Sequence, residues 1–212
     1  MKNTNGMYGL TGVVIGGMLV WVSVTSGVRS NNYGMMRMMG FSTFNQPNNV
    51  ASSQLDAHFI EQMIPHHEDA ITMAKLAQTR AKKPEVKKLA NNIIASQSKE
   101  IDQMTSWYAS WFGRELPAGK EVMNRHGMMG NTSGMHMGMM GNDSDLTRLE
   151  NAPDFDRAFV EDMIPHHQMA VMMASMLKDG SNRPEMKKLA DDIITAQTNE
   201  IDQMRSWLTS WK

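Results

Sequence analysis

The 212-residue chain contains no cysteine. It therefore cannot form a disulfide, a thiolate zinc site or an iron–sulfur cluster, and it has no thiol nucleophile. The chain also lacks an excess of positive charge, because 21 Lys and Arg residues stand against 22 Asp and Glu residues. Nucleic-acid binding requires cationic side chains that neutralise phosphates, so we expect no nucleic-acid partner.

Aromatic residues are also few, with only 6 Phe and 3 Tyr, whereas methionine is abundant at 24 residues. Methionine fills irregular gaps in protein cores, but an ordinary core does not need so many thioethers. A thioether is also a soft ligand that favours Cu(I) over hard ions. The composition therefore makes soft-metal binding a leading hypothesis.

The N-terminus carries a long run without charge, from Leu10 to Val28, preceded by Lys2. This pattern is typical of a secretory signal, and the run is also about as long as the shortest membrane-spanning helices. We predict a signal peptide or membrane anchor over residues 1–28, with an apolar N-terminal helix as the third alternative. The first two predict export of the remainder, with membrane contact only through this segment.

The rest of the chain is an internal duplication. Residues 56–111 align without a gap on residues 156–211, and about half of the positions are identical. Each copy shows apolar positions at alternating spacings of three and four, which predict two helices packed against others. We predict an all-α four-helix bundle over 53–212, built from two helical hairpins, 53–113 and 153–212.

Two Met-rich segments flank the first hairpin, an N-terminal segment over 29–52 and a linker over 114–152. Neither has a helical or strand period. Their methionines and histidines could capture a soft metal, or form an apolar recognition surface for a partner. The candidate loop ligands are Met35, Met36, Met38, Met39, His126, Met128, Met129, Met135, His136, Met137, Met139 and Met140.

Paired histidines occur once in each repeat, within the same Met-Ile-Pro-His-His stretch. A methionine four residues before the second histidine shares its helix face, and imidazole with thioether is a ligand set suited to Cu(I). The alternative is a pair of buried structural histidines. The candidate metal ligands are Met63, His66, His67, Met73, Met104, Met163, His166, His167, Met173 and Met204.

The apolar face of each predicted helix, its seam, is interrupted by polar residues at matching positions of the two repeats. A buried carboxylate or amide there could orient the imidazoles, or form a structural layer that sets helix register. These residues are Asp56, Gln97, Glu100, Asp156, Gln197 and Glu200. Three further methionines in the first helix of the second hairpin, Met169, Met172 and Met176, are predicted to lie in the core.

Two motifs occur twice: M-x-x-H-H-x-x-A-x-x-M-A from Met63 and Q-x-x-E-I-x-x-M-x-x-W from Gln97. They resemble a bacterial family of exported, Met- and His-rich, ferritin-like four-helix bundles of unknown function. Together with the Met-rich loops, the domain is similar to periplasmic copper-binding proteins. This resemblance implies a periplasmic location, Cu(I) and Ag(I) binding, and copper tolerance.

We therefore predict a non-enzymatic protein that sequesters or carries Cu(I), whose protein partner could be a copper-sensing or copper-export membrane protein. One alternative is a ferritin-like di-metal oxidase, although the chain has no Glu-x-x-His motif and only two seam glutamates. The other is a metal-free helical module that binds partners through its Met-rich loops.

Overall fold

The computed structural model describes residues 48–117 and 143–211. These residues form five helices and no strand, so the all-α prediction is confirmed for them. The helices are α1 Asn48–Arg80, α2 Pro84–Phe112, α3 Asp143–Glu150, α4 Phe155–Gly180 and α5 Pro184–Ser210. The predicted leader and all twelve candidate loop ligands lie outside the described residues. None of the helices described here is long and apolar enough to cross a membrane.

The four long helices form the predicted bundle of two hairpins. α1 packs against α2, α4 packs against α5, and the hairpins meet where α1 packs against α4. Fully buried alanines recur at equivalent positions of the long helices, Ala70, Ala90, Ala170 and Ala190. Their small side chains leave room for larger buried neighbours such as Phe159.

Two boundaries differ from the prediction. α1 begins at Asn48, five residues before the predicted start at residue 53. The linker over 114–152, predicted to have no regular structure, contains α3. Leu149 of α3 is 1% exposed and packs in the core. An isolated eight-residue helix is unstable in water, so this tertiary contact explains a helix that local periodicity did not reveal.

The helix ends follow the sequence signals. Pro84 and Pro184 occupy the first turns of α2 and α5, where the missing N–H has no helical partner to lose. Gly113 ends α2 with a left-handed φ of 62°, and its N–H donates to the Ala109 carbonyl at 3.1 Å. Pro65 and Pro165 lie inside α1 and α4, which continue past them.

Candidate metal centre

His66 of α1 and His166 of α4 meet between the two hairpins. Their ring centroids are 3.8 Å apart, with the ring planes inclined by 43°. His66 is only 2% exposed. Neither ring nitrogen of either histidine has a hydrogen-bond partner within the described part of the chain. The contact joins the repeats through two imidazoles whose nitrogens are all buried and unpaired.

His67 and His167 are held differently from their neighbours. The His67 Nε2 lies 2.6 Å from Glu100 Oε2, and the His167 Nε2 lies 2.7 Å from Glu200 Oε2. Both rings are fully buried, while the two carboxylates are partly exposed. A carboxylate on one ring nitrogen fixes the orientation of the imidazole and leaves the other nitrogen for a ligand role. The other nitrogen, Nδ1, is buried and unpaired in both rings among the described residues.

Gln97 and Gln197 lie one turn before these glutamates. Both are 3% exposed, and the carbonyl oxygen Oε1 of each has no hydrogen-bond partner in the described structure. Each buried polar atom without a partner costs about 1–3 kcal/mol, and native proteins contain few of them. Together with the paired histidines, these residues form a layer of buried polar side chains, and this layer is the candidate binding site.

Burial keeps the central imidazoles neutral. Burial, followed by the nearby His67 and His167 rings, lowers the pKa of His66 to about 3. Burial and the rings of His66, His167 and His67 also hold the pKa of His166 well below its usual value. Metal ions bind the neutral imidazole, so both rings are in the ligand form at neutral pH.

Buried thioethers lie in the same bundle core. Met63 and Met163, one turn before the paired histidines, are fully buried, as are Met104 and Met204. Met73 and Met173 are 8% and 6% exposed. Within 48–117 and 143–211, no three His, Asp or Glu side chains form a group that could hold a metal. An ion in this layer would therefore be held by two imidazoles, or by imidazole together with thioether sulfur.

Asp56 and Asp156 serve the interhelical turns and not the imidazoles, so the predicted orienting role is wrong for them. The Asp156 carboxylate accepts backbone N–H groups of Lys82 at 3.0 and 3.1 Å and of Lys83 at 3.1 Å. Asp56 forms an ion pair with Arg183 Nε at 3.3 Å. Burial raises the pKa of Asp56, and Ser181 and Arg183 offset part of that rise. Each aspartate thus ties its repeat to the turn of the other repeat, which explains its place on the seam.

The core prediction for the α4 methionines is correct at one position only. Met176 is 4% exposed, but Met169 and Met172 are partly exposed. Both lie at the edge of the buried face of α4, where repeat one has the polar residues Asp69 and Thr72. The polar residues at these two positions of repeat one were the sequence signal that they lie outside the core.

A polar cluster in repeat one was not predicted. The hydroxyl of the fully buried Tyr108 donates to Glu61 Oε1, which also accepts from Arg114 at 3.3 Å. Close by on α1, a nitrogen–nitrogen hydrogen bond of 2.8 Å joins His58 and Gln62. Repeat two has alanine and leucine at the positions of His58 and Tyr108. That difference between the repeats was the available sequence signal.

The sequence matches the family described as "Domain of unknown function (DUF305)" over residues 56–208. The chain belongs to the DUF305 family. The predicted membership is thereby confirmed, and the matched residues include both hairpins and both pairs of histidines. A DUF305 fragment from Deinococcus radiodurans has the same fold, with 28% identity and a TM-score of 0.60 over 74% of this chain and 97% of that one.

Other solved DUF305-like structures are more similar in sequence. CopM in the Cu(II)-bound form is 51% identical with a TM-score of 0.64, covering 74% of this chain and 97% of that chain. CopM in the Cu(I)-bound form is 48% identical with a TM-score of 0.61, covering 74% and 96%. An uncharacterized protein of Acanthamoeba polyphaga mimivirus is 49% identical over 57 residues, which are 27% of this chain and 38% of that protein.

Proposed function

We propose that this DUF305 protein binds Cu(I), and Ag(I) as its mimic, in the layer formed by His66 and His166. The observation that carries the proposal is the 3.8 Å contact between two buried imidazoles, one from each repeat, whose ring nitrogens lack partners among the described residues. A metal ion would satisfy those nitrogens, which otherwise cost stability.

The chemistry of the donors favours the monovalent ion. Cu(I) is selected by soft thioether ligands and also accepts imidazole, whereas Cu(II) prefers tetragonal nitrogen and oxygen donors. The layer offers neutral imidazoles, with buried thioethers such as Met63 and Met163 one turn away. Glu100 and Glu200 are hydrogen-bonded to His67 and His167, which orients the two imidazoles next to the layer. CopM has been solved in Cu(I)-, Cu(II)- and Ag-bound forms, which supports copper and silver as the ions.

In this proposal copper is cargo and not a catalyst. The protein would sequester or carry Cu(I) in the periplasm, contribute to copper resistance, and exchange the ion with a copper-sensing or copper-export membrane protein. The methionines of the N-terminal segment and the linker would add weaker sites. The charge-free run in residues 10–28 supports export.

An anaerobic Cu(I) titration of the full chain against a colorimetric chelator tests the proposal. The test variant carries His66→Gln and His166→Gln, and the control carries His58→Gln, which removes a buried imidazole outside the layer. We expect the wild type and the control to withdraw at least one equivalent of Cu(I) more than the test variant, with equal helicity by circular dichroism. If the test variant retains all of its copper, binding belongs to the Met-rich segments and the proposed site is wrong.

A further inference from the structure

The two repeats differ on the surface beside the central histidines. Met169 and Met172 of α4 occupy the positions that Asp69 and Thr72 occupy on α1. Both methionines are partly exposed, although methionine has no polar group to place in water. His166 is also partly exposed, whereas its counterpart His66 is 2% exposed, although the ring nitrogens of both are buried.

On α4 the thioethers form a continuous row. Residues three and four apart on a helix are surface neighbours, so Met169 lies beside His166, Met172 and Met173. Met173 is 6% exposed and faces the core. The helical spacing thus places three methionines and one histidine in sequence from the partly exposed edge of α4 towards the contact between His66 and His166. Asp69 and Thr72 interrupt the corresponding path on α1.

We propose that Met169 and Met172 form a surface site for Cu(I) or Ag(I), from which the ion passes to His166. This inference rests on the proposed function, because the ion must end in the histidine layer. The transfer is a ligand exchange in which a neutral imidazole nitrogen replaces a neutral thioether sulfur. The metal keeps its oxidation state throughout.

Weak surface ligands suit this role. Two thioethers bind Cu(I) without the negative charge of a thiolate, so the ion is held weakly. The buried imidazoles can therefore replace the thioethers as ligands. His66 is only 2% exposed, so an ion would enter the layer from the side of the partly exposed His166. His166 is partly exposed, although both of its ring nitrogens are buried, and the partly exposed Met169 lies one turn further along α4.

The test measures anaerobic stopped-flow transfer of Cu(I) from a colorimetric chelator to the full chain. The wild-type absorbance change contains a part that is missing in the His66→Gln/His166→Gln variant. That part reports Cu(I) binding to His66 and His166. One relay variant carries Met169→Asp and Met172→Thr, which installs the residues of repeat one. A second carries Met169→Leu and Met172→Leu, which keeps apolar bulk and removes sulfur. We expect both relay variants to bind Cu(I) at His66 and His166 about tenfold more slowly, which corresponds to the loss of one interaction in the transition state. The final amount of Cu(I) bound there should be unchanged.

The outcomes separate this inference from the proposed function. Wild-type rates in the leucine variant would show that sulfur is not required and would overturn the relay. A loss of final amplitude in that variant would make the methionines part of the buried site and would also overturn it. If the wild type and the histidine variant take up equal copper, the proposed function fails, and the relay fails with it.

Discussion

Adjacent histidines in this protein have opposite environments. His67 is bonded through Nε2 to Glu100, whereas His66, one residue earlier, has no hydrogen-bond partner among the described residues and contacts His166 instead. Successive residues of an α-helix differ by about 100° around its axis, so one ring faces α2 and the other faces α4. The motif thus supplies an unpaired imidazole and an oriented one from two neighbouring residues.

The buried neutral histidines predict how acid affects the metal-free protein. In the folded chain the pKa of His66 is lowered to about 3, while the unfolded chain titrates near the ordinary value of about 6.5. The unfolded state therefore binds protons first as the pH falls. We expect the free energy of unfolding to decrease below about pH 6.5, by up to about 1.4 kcal/mol per pH unit for each such histidine.

Urea unfolding of the metal-free chain at about pH 7 and about pH 5 measures this effect. The His66→Gln/His166→Gln variant is the control, because glutamine does not titrate. Its stability should fall less between the two pH values than that of the wild type. Equal losses in both proteins would contradict the assignment of the effect to these two rings.

At the scale of the helices, aromatic stacking and cation–π contacts stabilise the C-terminal ends of α2 and α5. Stacked tryptophans lie at the C-terminal ends, Trp107 with Trp111 at 5.0 Å and Trp207 with Trp211 at 6.1 Å. A cation from the opposite hairpin covers each pair: the Arg183 guanidinium lies 4.2 Å from the Trp111 ring, and Lys83 Nζ lies 4.6 Å from the Trp211 ring. Such cation–π contacts contribute about 0.5–1 kcal/mol each at exposed sites.

Gly113, the C-terminal cap of α2, gives a prediction for this element. Its φ of 62° is left-handed, and no atom lies within 4 Å of an added Cβ. Gly113→Ala therefore introduces backbone strain without a steric clash, and we expect it to lower the free energy of unfolding by about 1 kcal/mol. Gly113→Asn should lose less, because asparagine tolerates the left-handed region. Chemical denaturation of the three proteins checks the order, and an unchanged alanine variant would contradict it.

At the scale of the whole molecule, the candidate site belongs to neither hairpin alone. Its two unpaired imidazoles come from different repeats, and they meet only because α1 packs against α4. A bound ion would therefore link the hairpins and stabilise the folded state. Ligand at about 100 times its dissociation constant adds about 2.7 kcal/mol to the free energy of unfolding.

A shared ion predicts non-additive mutations. We expect His66→Gln and His166→Gln, made singly, each to remove most of the Ag(I)-dependent rise in melting temperature, and the double variant to lose little more. Differential scanning calorimetry with and without Ag(I) measures all four proteins of this double-mutant cycle. If each single variant retains half of the rise and the double variant loses it all, each repeat holds its own ion.

Local patterns were enough to predict much of this protein. The three–four spacing, Pro84 and Gly113 identify helices and their ends because hydrophobic period and backbone limits act within a few residues. The duplication predicts two equivalent hairpins, and the position of His66 on the seam predicts its burial. Family membership also follows from motifs that are continuous in sequence.

Tertiary structure alone decided which of these residues meet. Asp156 accepts hydrogen bonds from N–H groups of a turn more than 70 residues earlier in the chain. The helix α3 packs Leu149 into the core, whereas Met169 lies at the edge of the core. The pairing of His66 with His166, 100 residues apart, likewise required the packing of α1 against α4. A helical pattern specifies which side of a helix is apolar. The partner of each buried polar group depends on how the helices are arranged around the shared core, and that arrangement is a property of the whole chain.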